Sequence, residues 1–85
     1  MKRTEVTYGQ LDRALRSLGF SCRLVQREPP ARVYEHKETG AYLSIPPFAE
    51  TDFVLDYHLV GARKTAELFG VAEPSLFDAE LRKAG

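Results

Sequence analysis

Apolar residues recur at helical spacing early in the chain. Leu11, Ala14, Leu15 and Leu18 fall on one face, and Asp12, Arg13 and Arg16 fall outside it. Thr7-Tyr8-Gly9-Gln10 has the form of a capping box, with Val6 and Leu11 placed as a hydrophobic staple. Gly19 is a left-handed stop, and Phe20 folds back on Leu15 in a Schellman contact. The spacing predicts a helix over 8–18. The pattern then changes period. Ser21 to Arg27 alternates weakly until Glu28-Pro29-Pro30 breaks it, since neither proline donates to a ladder. Arg32 to His36 is rich in strand formers. Lys37-Glu38-Thr39-Gly40 reads as a turn, and Ala41 to Ile45 as a third strand stopped by Pro46-Pro47.

The turn sets which side chains share a face. A three-residue loop over Glu38-Thr39-Gly40 makes Lys37 oppose Ala41. His36 then faces Tyr42, Tyr34 faces Ser44 and Val33 faces Ile45. Val33, Leu43 and Ile45 form the expected core face. Arg32, Tyr34, His36, Tyr42 and Ser44 form an expected open face. Glu35 on the core side is the cost of that register, and a slip of one residue would invert the faces.

Phe48 to Asp56 is a connector with room for one turn of helix. From Asp56 the helical period returns. Leu59, Val60, Ala62, Ala66, Leu68 and Phe69 make a broad apolar stripe, with Asp56 as N-cap and Gly70 as the stop. Pro74 opens a last helix over about 75–83, with Phe77 and Leu81 facing inward. The expected class is α+β: a two-layer domain with a three-stranded antiparallel sheet, helices on one face and the order α-β-β-β-α-α.

Eighty-five residues make a single domain over 1–85. No apolar run approaches a membrane span, and the opening Met1 to Glu5 leads into a charged amphipathic segment. The one cysteine, Cys22, excludes an internal disulfide and a CxxC site, so the expected location is cytoplasmic and Cys22 reads as a structural thiol. Net charge is zero but unevenly placed. Residues 1–40 hold eight basic and five acidic side chains, and residues 41–85 hold four and seven. A nucleic-acid binder is usually more basic, yet the asymmetry leaves a basic half to meet phosphate or to meet a second copy head to tail.

Four pieces resemble the HicA-type toxin family of small mRNA interferases, which have a double-stranded-RNA-binding-like fold. They are Leu18-Gly19-Phe20 at the end of the first helix, the Tyr34-x-His36 to Gly40 hairpin, Leu43-Ser44-Ile45-Pro46, and Leu68-Phe69-Gly70-Val71. They cover about residues 8–71. The segment from Glu73 to Gly85 goes beyond the short toxin pattern. The resemblance implies ribonuclease chemistry, RNA as ligand and a cognate antitoxin-like protein as partner. One departure is plain. Where the family carries its active-site histidine near the start of the second strand, this chain has Pro30, Ala31 and Arg32. None of these moves a proton near neutral pH.

The candidate residues follow. Arg32, Tyr34, His36 and Tyr42 on an open sheet face would stack bases and hold phosphate. Arg13 and Arg16, three apart on the first helix, share a side and add cations, and Arg23, Arg27, Arg63 and Lys64 extend the patch. His36 and His58 are the candidates for a catalytic role. The plainer readings are a hairpin-end histidine and a helix-packing histidine. No HxxxH or HExxH spacing exists, and neither a metal nor a cofactor is expected. Three functions stand open: a non-catalytic RNA- or protein-binding module, an active interferase using His36 or His58, and a protein–protein or homodimerisation unit without nucleic acid.

Overall fold

The computed structural model describes residues 2–85, so Met1 lies outside the described residues. The order is β1 (Arg3–Thr7), α1 (Tyr8–Ser17), β2 (Ser21–Val25), β3 (Ala31–His36), β4 (Ala41–Ile45), β5 (Phe53–Leu55), α2 (Asp56–Leu68) and α3 (Pro74–Ala84). The class is α+β. β2-β3-β4 form an antiparallel sheet, and β1 and β5 form a separate antiparallel pair. No described helix is long and apolar enough to cross a membrane.

Local chemistry accounts for α1. Thr7 Oγ1 accepts the Gln10 N–H at 3.1 Å. At the other end the Gly19 N–H reaches the Arg16 carbonyl and the Phe20 N–H reaches the Leu15 carbonyl, both at 3.0 Å. These are the two bonds of a Schellman turn, and Gly19 supplies its left-handed residue at φ +99°. The capping box closes only halfway. Gln10 Nε2 donates instead to the Leu81 carbonyl of α3 at 2.7 Å. That bond, with Arg13 on the Ala84 carbonyl and Ser17 on Glu80, docks α3 against α1. Phe77 and Leu81 complete the core with Leu11, Ala14, Leu15, Tyr34 and Ile45. The last helix is therefore part of the core.

The structure corrects four expectations. First, the 37–40 turn has four residues: His36 pairs with Ala41, Tyr34 with Leu43 and Arg32 with Ile45. Thr39 Oγ1 holds it, meeting His36 Nδ1 at 2.9 Å and accepting the Ala41 N–H at 3.2 Å. The faces change accordingly. Tyr34, Leu43 and Cys22 share the helix-covered side, as do Arg32, Ile45 and Leu24. Val33, Ser44 and Arg23 share the other side, where Glu35 and Tyr42 also lie. Glu35 is thus spared the core and pairs with Arg23 at 2.8 Å. Second, the segment read as a charged lead-in is strand β1, and the connector, read as having room for one turn of helix, holds β5. Third, Leu55, not Asp56, caps α2. Fourth, only Leu59, Ala62 and Ala66 of the α2 stripe are buried, while Val60, Leu68 and Phe69 are exposed.

Candidate binding site

The corrected register divides the expected site residues among separate grooves. One lies where α1 crosses β2 and β3. Arg16 from α1, Arg23 from β2 and Arg32 from β3 line it, with Asp12, Cys22 and Glu50, around ≈ 350 Å³. Tyr34 sits beneath it, 2% exposed. Its hydroxyl donates to Asp12 Oδ1 at 2.7 Å, and Arg16 Nε donates to Asp12 Oδ2 at 3.0 Å. Asp12 thus orients both groups. Burial first, and then the hydrogen bond to Asp12, holds the Tyr34 phenol well above its ordinary range. The same carboxylate, by hydrogen bond and then by charge, raises Arg16. Arg23 has Glu35 as its partner. Among the described residues Arg32 makes no side-chain hydrogen bond or ion pair. It is a half-buried cation in the same groove as Arg16, which an anionic oxygen can occupy.

His36 is elsewhere. Its Nδ1 is engaged by Thr39 and its ring meets Phe20 edge-on at 5.4 Å. It lies so close to Gly19 that a Cβ there would come within 3.0 Å of Nε2. The groove around it, ≈ 510 Å³, carries Lys37 beside Glu35 and Glu38. Arg13 is also apart from Arg16, spent on the Ala84 carbonyl at 2.9 and 3.2 Å. Arg63 is paired with Asp78 at 2.9 Å.

His58 and Tyr42 meet at a third place, a cleft of ≈ 480 Å³ between β4 and α2. His58 Nδ1 lies 2.8 Å from the Tyr8 hydroxyl, which also accepts the Leu55 N–H at 3.2 Å. Tyr57 packs on the imidazole at 4.2 Å between centroids, and Phe48 stacks on Tyr8 at 4.7 Å. The Arg3 guanidinium lies over Phe48 and donates to the Phe53 carbonyl. Burial, and then the nearby Arg3 charge, lowers the His58 pKa.

The structure therefore brings Arg16 and Arg32 together, over Tyr34, and sets Tyr42 with His58. It does not join these groups to each other, to His36 or to Arg13. Tyr8 and Asp12 organise two of the grooves, and neither stands out in the sequence. Tyr8 looks only like a first helical residue, and Asp12 only like the polar side of an amphipathic helix. Among the described residues no three His, Cys, Asp or Glu side chains converge as a metal site. No family model, curated protein or solved structure matches the chain.

Proposed function

We propose that this domain is a HicA-like RNA-binding module that contacts phosphate through the α1/β2/β3 groove and does not cut the chain. The observation that carries the reading is Arg32, without a side-chain partner among the described residues, in one groove with Arg16. Arg32 stands near where the family resemblance expects the active-site histidine. No histidine lines this groove, so a phosphate held there has no imidazole to move its protons. A cytoplasmic location suits an RNA ligand and a free Cys22.

The test is fluorescence anisotropy on single-stranded RNA across a salt series, with a cleavage gel beside it. Two phosphate contacts, from Arg32 and Arg16, give a log–log slope of about −1.4, a loss of roughly 7-fold between 50 and 200 mM salt. Arg32→Ala should remove roughly half of that slope. Absence of binding, or binding indifferent to salt, refutes the reading.

A second reading rests on the Tyr8–His58 pair. A neutral imidazole held by a phenol at the edge of a cleft has the makings of a general base, and would make the chain an active interferase. RNA cleavage that disappears in His58→Ala and persists in His36→Ala would establish it. Binding to an antitoxin-like protein in place of RNA would show as complex formation unaffected by Arg32→Ala.

A further inference from the structure

The Tyr8 hydroxyl decides the chemistry of the cleft between β4 and α2. Tyr8 is 4% exposed, and its hydroxyl has two hydrogen-bond neighbours among the described residues. The Leu55 N–H donates to it at 3.2 Å, so one lone pair of the phenol oxygen is taken. The hydroxyl proton then needs an acceptor, because a buried donor without one is costly. The acceptor within reach is His58 Nδ1, at 2.8 Å. Nδ1 therefore carries a lone pair, and a neutral imidazole with its lone pair on Nδ1 holds its proton on Nε2. Among the described residues Nε2–H meets no acceptor. The titratable groups around the ring are Tyr8 from α1, Tyr57 from α2, Tyr42 across the cleft on β4 and, acting by charge, Arg3 from β1. Among the described residues no charged side chain lines the cleft itself. There is also room. Gly61, three residues after His58 on α2, lines the same cleft, and a Cβ there would meet no other part of the chain within 4 Å. Glycine inside a helix is less stable than alanine, and no neighbour here demands it.

We propose that Tyr8 positions His58 as a fixed Nε2–H donor, and that the cleft takes an uncharged flat ligand whose carbonyl oxygen accepts from it, the class to which a uracil base belongs. The donor calls for a lone pair on the ligand. The uncharged lining calls for a neutral one, since an ion would lose hydration there without a counter-charge. Tyr42 and Tyr57, each about half exposed, offer ring faces to a flat ligand, and Gly61 leaves open space on the same wall. Tyr8 acts through the imidazole and is a positioning residue. Its hydrogen bonds carry the proposal independently of the arginine groove. A ring held this way donates at the atom open to a ligand and takes up a proton only at Nδ1, where Tyr8 stands, so a general base there has first to release Tyr8. Protonation would set two protons, one on Nδ1 and one on the hydroxyl, into a single 2.8 Å contact. The phenol therefore helps to keep the ring neutral.

Nitrogen–proton correlation NMR of the full chain at about pH 8, above the ordinary histidine pKa of about 6.5, tests this. The wild-type spectrum alone decides the tautomer. The expected result is His58 with Nδ1 unprotonated, Nε2 protonated and a slowly exchanging Tyr8 hydroxyl proton correlated with Nδ1. Tyr8→Phe keeps the buried ring. It should abolish that proton signal, let the imidazole exchange between tautomers and raise the His58 pKa. A wild-type ring with its proton on Nδ1 overturns the positioning and leaves the general-base reading standing. A tautomer and pKa unchanged in Tyr8→Phe overturn the role of Tyr8. Uridine, whose base presents two carbonyl oxygens, is the ligand probe. Titrated to 50 mM, it should shift the Nε2–H signal and the Tyr57 ring protons together. His58→Phe keeps a flat ring without the donor and should weaken uridine binding, read at Tyr57, roughly threefold to tenfold. An Nε2–H signal indifferent to uridine, or binding unchanged in His58→Phe, overturns the ligand assignment.

Discussion

Tyr34→Phe is the sharpest test of the sheet register. In the register with a three-residue turn, Tyr34 faces solvent and its hydroxyl is dispensable. In the structure it is 2% exposed and its hydroxyl donates to Asp12 at 2.7 Å. The substitution keeps the ring and opens almost no cavity, so packing contributes little. What is lost is one hydrogen bond to a charged acceptor, worth about 1.5–3 kcal/mol. Asp12 retains Arg16 and is partly reached by water, at 14% side-chain exposure, so its stranded oxygen is only partly unsatisfied. The loss therefore belongs in the lower half of that range, about 1.5–2 kcal/mol. For a domain of this size each kcal/mol moves the melting temperature by about 4–8 °C, so the shift is about 6–16 °C. Urea unfolding followed by circular dichroism measures it, with Tyr42→Phe as the control. Tyr42 is exposed on the opposite face and its substitution should stay within about 0.5 kcal/mol. Equal and negligible losses in both variants would refute the register and the face assignments built on it. The same geometry has an alkaline consequence. A phenol whose folded pKa lies above its unfolded value adds stability below about pH 10 and loses it as the pH rises further. Tyr34→Phe should flatten that alkaline decline.

Phe77→Ala should cost about 3–5 kcal/mol in the same urea assay, because Phe77 is fully buried and its ring also faces Arg63 at 5.8 Å. A loss under 1 kcal/mol would mean that α3 is a dispensable appendage. His58 should give folding a mild acid sensitivity. Its folded pKa is lowered, so its contribution is present above the unfolded value of about 6.5 and is lost as the pH falls through the folded pKa. Proton NMR titration of the imidazole reads this directly, and a midpoint at or above 6.5 would contradict the burial and Arg3 charge assigned to the ring.

How much was legible in the sequence depended on how local the cause was. α1 was legible to within a residue because its determinants are Thr7, Gly19 and Phe20, each acting over a few residues of chain. The three strands of the main sheet were legible for the same reason. Their register was not, because it hangs on whether Lys37 belongs to the strand or the turn. That choice is made by the Thr39 side chain, which closes the longer loop. β1 and β5 escaped notice because they justify each other only across about fifty residues. Arg3 opposes Leu55, and β5 is three residues long. The α2 stripe was read too wide. Leu59, Ala62 and Ala66 suffice to seat that helix in a two-layer domain, and Val60, Leu68 and Phe69 lie beyond the line of contact.

The candidate residues were recognisable by type, yet their grouping was not, since grouping follows register. One residue of slip carries Tyr34, His36 and Arg32 from the open face to the helix-covered face and leaves Tyr42 behind. The outcome is a sheet with two kinds of edge. The β2 side gathers arginines under α1, and the β4 side is uncharged and lies beside α2. The arginine groove and the cleft that holds Tyr42 and His58 therefore share no lining residue, and a ligand in one leaves the other open.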